Sequence, residues 1–174
     1  MTAEDKARSD IAVQKAFLES DIYIKSKTIL AYVSSEIEVD TSFIISDALK
    51  CKTVLCPRCE KIGNEMHFYG ITDIECLETG RFGIFEPKAD CERIDDFSGA
   101  VCLVPALSYD MDGFRLGFGK GFYDRFLADF IGVKVGLCYE SCVCDKLIHD
   151  PYDQSVDILF TDKSIYDYKA KKGS

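Results

Sequence analysis

The sequence predicts an α/β fold in which a mostly parallel sheet is covered by helices on both faces. Three apolar runs of strand length carry that reading: Thr28-Ile-Leu-Ala-Tyr-Val33, Ala100-Val-Cys-Leu-Val104, and residues 133–138. Each is nearly continuous rather than alternating, the pattern of strands buried on both sides. Helical segments fall between the strands, and such alternation argues crossover connections and a parallel sheet.

Taken in order, residues 2–18 read as a helix, with Thr2 as a capping hydroxyl, Asp5 three residues on, and an apolar face of Ile11, Val13, Ala16 and Phe17. The strand at 28–33 follows. Asp40 or Thr41 caps a helix reaching about residue 49, and Thr53-Val-Leu-Cys56 is a short strand. Residues 66–69 form a further strand, after which a polar, irregular stretch folds over the surface as far as Pro87. The run at 100–104 is the clearest strand and is ended by Pro105. Beyond a glycine loop come a helix over 122–130, a strand over 133–138, a short helix over 142–148 and a last strand over 156–160. Residues 166–174 carry Lys169, Lys171 and Lys172 with almost no apolar partner and are expected to fray, leaving one domain over 1–165.

Composition bounds the function. The chain has 174 residues, 47% of them hydrophobic, enough for a single buried core. A net charge of −9 argues against a nucleic-acid surface, which needs clustered cations, so an anionic ligand requires a local positive pocket. No apolar run is long enough to span a bilayer and the N-terminus has no signal-peptide core, so the protein is expected to be cytoplasmic, with no membrane partner. Nine cysteines are an odd number in that setting, and free thiols are expected. Cys56-Pro-Arg-Cys59 has the spacing of a redox motif or half a zinc site, with Cys142, Cys144 or His149 to complete it. Cys-x-Cys is not the usual second half of a zinc finger, and buried or incidental thiols are the expectation.

The most informative segment is Gly113-Phe-Arg-Leu-Gly-Phe-Gly-Lys-Gly-Phe-Tyr-Asp124. Glycines at 117, 119 and 121 let backbone N–H groups approach a ligand, and with Arg115 and Lys120 nearby they suit a polyphosphate. Asp124 could hold a metal on such phosphates. The spacing fits neither a Walker A loop, since Phe114 stands where its first glycine belongs, nor a Rossmann fingerprint, whose third glycine comes one residue later. By itself the segment reads equally as a glycine-rich turn before a helix.

Taken together, the motifs resemble the 5-formyltetrahydrofolate cyclo-ligase family. The agreement runs through Glu38-Val-Asp-Thr41, Cys56-Pro-Arg58, Met66-His-Phe-Tyr69, Phe82-Gly-Ile-Phe-Glu-Pro87, Val104-Pro-Ala-Leu-Ser-Tyr-Asp110, the glycine loop from Arg115 to Asp124, and Tyr152-Asp-Gln-Ser-Val-Asp157. The resemblance implies a three-layer α/β/α sandwich, expected as a monomer, that uses ATP as co-substrate and Mg2+ as cofactor to convert 5-formyltetrahydrofolate to 5,10-methenyltetrahydrofolate. ATP phosphorylates the formyl oxygen, N10 attacks, and phosphate leaves.

Carried onto this sequence, Arg115, Leu116, Gly117, Phe118, Gly119, Lys120, Gly121, Phe122 and Tyr123 match the ATP loop, with Arg115, Lys120 and Tyr123 in catalytic roles. Val33, Glu38 and Phe118, Gly119, Lys120, Gly121 and Phe122 match folate contacts, and Asp124 and Asp153 the magnesium carboxylates. On these roles Asp124→Asn is expected to weaken the metal site without changing the fold. Without the resemblance, Val33 reads as a buried strand residue, Glu38 as a solvated loop charge and Asp153 as a turn residue.

The sequence also departs from the family. Phe122 replaces the first of a Tyr-Tyr pair, Tyr152 stands where many members have His, Ser155 where many have Pro, and Ala106 where Gly is common. Met1-Thr-Ala-Glu-Asp-Lys6 matches a segment that in the family follows a basic, phosphate-binding helix. Without those cations ATP binding is expected to weaken by several kcal/mol, at about 1.5–3 kcal/mol for each charge-assisted bond. This chain is therefore expected to fold with impaired activity, the alternative being a folate- or nucleotide-binding protein on the same fold.

Overall fold

The structure is a computed structural model and describes residues 1–60, 65–80 and 83–172. Phe82 of the family-like motif, and Gly173 and Ser174 of the tail, lie outside the described residues.

Helix α1 spans Ala3–Leu18, and the Thr2 hydroxyl accepts the Asp5 N–H at 3.1 Å, the expected cap. Helix α2 (Asp21–Lys25) leads into β1 (Thr28–Leu30), and α3 (Ser42–Ala48) into β2 (Thr53–Cys59). At the start of α3 it is Asp40, not Thr41, that accepts the Ser42 N–H, at 3.0 Å. Strand β3 (Met66–Ile71) returns antiparallel to β2. The irregular stretch holds a hairpin of β4 (Leu77–Thr79) and β5 (Phe85–Pro87), then β6 (Arg93–Ile94). Next come β7 (Val101–Val104), β8 (Ser108–Asp110), β9 (Arg115–Leu116) and α4 (Phe122–Asp129). The chain continues through β10 (Val133–Leu137), β11 (Val143–Cys144), β12 (Ile158–Phe160), β13 (Ile165–Asp167) and α5 (Tyr168–Lys172).

The main sheet has eight strands in the order β13-β12-β10-β7-β1-β2-β3-β6. Its centre, from β12 to β2, is parallel, while β13, β3 and β6 are antiparallel additions. Both faces are covered because the apolar strand residues alternate between two cores. Ile29, Val54, Cys56, Val101, Leu103 and Val135 pack with Val13, Phe17 and Ile44 of α1 and α3 on one side. Leu30, Leu55, Cys102, Val104 and Leu159 pack with Leu127 of α4, Tyr109 and Tyr168 on the other. This is the expected three-layer α/β/α arrangement. No helix of the described residues is long and apolar enough to cross a membrane.

Two expectations are corrected. Residues 142–148 do not form a helix. A 3₁₀ turn (Glu140–Cys142) leads into β11, which pairs with β8, and the Leu147 N–H is taken by the Asp110 carboxylate at 3.0 Å. Tertiary partners for the backbone outcompete a weak helix signal there. The tail is not frayed from residue 166. Leu159 pairs with Tyr166 across β12 and β13, and the Tyr168 ring is buried with its hydroxyl donating to the Asp110 carbonyl at 3.0 Å. Strand pairing at 166 and burial of the Tyr168 ring outweigh the lysines that suggested disorder.

Candidate functional site

From β1 the chain steps to β2 on one side, whereas β7 lies on the opposite side of β1 and continues outward to β10 and β12. The topology therefore reverses between β1 and β7, and the crevice at their carboxyl ends is where open α/β sheets take ligands. Val33 and Glu38 follow β1. The glycine loop follows β7 by way of the small sheet of β8 and β9.

The β1 side is held rigidly. Asp10 of α1 is buried, and its Oδ1 accepts the Tyr139 hydroxyl at 2.6 Å and the Asp40 N–H at 3.0 Å. Its Oδ2 accepts from Lys6 at 2.8 Å. The Tyr32 hydroxyl donates to the Val39 carbonyl, and the Thr41 hydroxyl to the Tyr32 carbonyl. This scaffold fixes Glu38, which is only 4% exposed, so it is no solvated loop charge. Its Oε2 accepts the Ser35 N–H and hydroxyl, both at 2.8 Å, and Oε1 accepts no hydrogen bond among the described residues. Val33 is half-buried against the α1 to α3 core.

On the β7 side, Gly119 and Gly121 have φ of +75° and +66°. A side chain is strained in that region, so this turn into α4 is built for glycine. Nothing lies within 4 Å of where a Cβ would stand on Gly117 or Gly119, leaving the loop open to a ligand. Leu116, Phe118 and Lys120 are exposed along it, and Arg125 sits over the Phe122 ring at 5.4 Å.

Tyr123, in the first turn of α4, points inward. Part of the residue is accessible, but its hydroxyl is sealed and without a hydrogen-bond partner among the described residues. Burial pushes its pKa well above the ordinary phenol value, with Cys102, Glu38 and Tyr32 adding to the shift. A neutral, buried donor with nothing to donate to is uncommon and asks for a ligand.

Arg115 does not stand free for phosphates. Its side chain is 7% exposed, with Nη2 on Asp124 Oδ1 at 2.9 Å and Nη1 on the Gln154 carbonyl at 2.9 Å. The Gln154 N–H donates to the same Asp124 oxygen at 2.9 Å, which brings the turn carrying Asp153 against the glycine loop. Asp153 Oδ2 accepts the Asp150 N–H at 2.7 Å. Asp124 Oδ2 and Asp153 Oδ1 accept no hydrogen bond among the described residues. Two hard oxygens on adjoining turns fit a magnesium ion, which keeps several waters and shares its remaining sites with substrate phosphates.

The structure brings Arg115, Asp124 and the turn carrying Asp153 together beside the loop, and sets Tyr123 near enough to Glu38 to feel its charge, while Val33 packs with the α1 to α3 core and Tyr123 with the α4 core. Asp10, Tyr139 and Asp110 were not among the expected site residues. Asp110 is fully buried beneath the loop, its Oδ1 accepting the Asp112 and Phe114 N–H groups. A separate cleft of about 490 Å³ lined by Lys27, Lys50 and Lys52 lies at the amino ends of β1 and β2 and contains none of these residues. The cysteine motif does not assemble, because residues three apart on a strand face opposite ways. Cys56 is buried in the core, which pushes its thiol up to about 12, and the His149 ring stacks on Phe114 at 3.6 Å.

The fold is that of a three-layer α/β/α protein, with its candidate site at the reversal of the parallel sheet. The model of the 5-formyltetrahydrofolate cyclo-ligase family matches residues 1–162. A 5-formyltetrahydrofolate cyclo-ligase of Mus musculus is 30% identical over 176 residues, covering 93% of this chain and 87% of that one. The NMR structure of Aquifex aeolicus 5,10-methenyltetrahydrofolate synthetase superposes with a TM-score of 0.86 at 34% identity, covering 97% of this chain and 86% of that one. The synthetase from Mycoplasma pneumoniae shares the fold, with a TM-score of 0.72 at 22% identity. The chain belongs to the 5-formyltetrahydrofolate cyclo-ligase family.

Proposed function

We propose that this chain closes 5-formyltetrahydrofolate to 5,10-methenyltetrahydrofolate while converting ATP to ADP and phosphate. The observation that carries the reading is the sealed Tyr123 hydroxyl, without a partner among the described residues and within reach of the Glu38 charge, beside a glycine loop with open space at Gly117 and Gly119. A flat heterocycle with donor and acceptor edges suits the crevice, and a polyphosphate suits the loop.

In this reading Glu38 Oε1 accepts from the pterin N–H groups, and Tyr123 donates to a buried acceptor of the folate. The loop amides and Lys120 hold the ATP phosphates, while Arg115 positions Asp124. The formyl oxygen attacks the γ-phosphorus and ADP departs. N10 then adds to the activated formyl carbon, phosphate leaves with the C–O electron pair, and the N10 proton is lost to give the methenyl cation. Phosphorylation turns a poor leaving oxygen into a good one, so the protein supplies mainly position and charge neutralisation. In this reading Val33 and the Phe122 ring would keep water from the activated formyl group. Magnesium held by Asp124 and Asp153 would offset phosphate charge during transfer.

The test is product absorbance with 5-formyltetrahydrofolate and Mg-ATP. Methenyl product and ADP should appear in equal amounts and only with both substrates. Folded protein that forms neither would overturn the proposal.

A further inference from the structure

Cys76 and Cys91 lie apart from the crevice and have no part in the proposed ring closure. Cys76 ends a 3₁₀ turn (Ile74–Cys76) immediately before β4, and Cys91 follows β5. The backbone folds the two together. The Lys88 N–H donates to the Cys76 carbonyl at 2.8 Å, and the Cys91 N–H to the Lys88 carbonyl at 3.1 Å. The Cys91 thiol donates to the Cys76 carbonyl at 3.7 Å, which sets the two cysteines side by side. Both thiols are partly exposed, so a small reagent can reach them.

Their environments differ in a useful direction. The Thr72 amide and hydroxyl and the Asp73 amide donate toward Cys76 and hold its thiol below the ordinary value, favouring thiolate. Burial, with the charges of Cys76 and Asp90, pushes Cys91 up and keeps it a thiol. A thiolate beside an accessible thiol is the arrangement of a nucleophilic cysteine and its resolving partner.

We propose that Cys76 and Cys91 form a peroxide-oxidised dithiol site. The Cys76 thiolate attacks one oxygen of hydrogen peroxide, breaking the O–O bond and leaving a sulfenic acid and hydroxide. The Cys91 sulfur then attacks the Cys76 sulfur, the S–O bond breaks and the oxygen departs as water. Two thiols are oxidised to one disulfide, and the peroxide is reduced to two waters. The link tethers the base of the β4–β5 hairpin, and a thiol reductant reverses it. Of the other cysteines, Cys56, Cys102 and Cys138 are buried, and Cys51 is exposed without these flanking donors.

The experiment treats the full chain with graded hydrogen peroxide, alkylates the remaining thiols, and maps peptides by mass spectrometry without reduction. The expected result is a Cys76–Cys91 linked peptide pair, formed before Cys51 is modified and lost on reduction. Cys91→Ser should leave Cys76 as a sulfenic acid trapped by dimedone, and Cys76→Ser should leave Cys91 alkylatable. Alkylation of both thiols persisting after Cys51 is oxidised would overturn the proposal, as would a link from either to a different cysteine. The wild-type measurement decides without the variants.

Discussion

At Tyr123 a phenol hydroxyl is buried with no partner among the described residues, and its worth to the folded protein is negative until something binds. Tyr123→Phe should therefore leave the urea midpoint unchanged or raise it, while kcat/KM for ring closure falls about tenfold, the worth of one hydrogen bond to substrate. The two carboxylates assigned to magnesium should separate in the same pair of measurements. Asp124 neutralises Arg115, whose side chain is 7% exposed, so Asp124→Asn strands a buried cation and should cost about 3 kcal/mol of stability as well as activity. The contact adds a stability cost to the expected weakening of the metal site. Asp153→Asn strands no cation and should raise the magnesium requirement with little change in the urea midpoint. Equal stability losses in both variants would contradict this division.

Among the elements, the glycine loop owes its shape to Asp110 at the end of β8. That carboxylate accepts N–H groups from Asp112, Phe114 and Leu147, tying the entry of the loop to the segment after β11. Asp110→Ala leaves those part-buried donors without their acceptor and should destabilise by about 1–3 kcal/mol in urea unfolding. α1 was legible because its cap and apolar face are local, and the long apolar strands because burial on both faces leaves continuous runs. Residues 142–148 were misread because what shapes them is a strand pairing and a carboxylate more than thirty residues away in sequence. Tyr166 and Tyr168 were hidden by neighbouring lysines for the same reason, their partners Leu159 and Asp110 being distant in the chain.

Over the whole molecule, the core depends on tyrosines that must stay protonated. Burial raises Tyr32, Tyr109, Tyr123, Tyr139 and Tyr168 above the ordinary value of 10.0. A raised pKa means the folded state holds a proton that the unfolded state releases, so the stability is complete below about pH 10 and is lost as pH rises toward the folded values. Urea midpoints should fall from about pH 10 upward, with phenolate absorbance rising together with unfolding rather than before it. Early phenolate absorbance in folded protein would contradict the burial. By itself the sequence determined the α/β class, the strand and helix order of most of the chain, and the family, because periodicity, caps and motif order are properties of neighbours along the chain. Only the tertiary structure decided that the sealed Tyr123 hydroxyl lies within reach of the Glu38 charge, that Arg115 pairs with Asp124, and that Asp10 and Tyr139 hold the segment after β1. Those facts depend on which strands become neighbours at the reversal of the sheet. Burial and pairing across that distance change what a carboxylate or a hydroxyl can do.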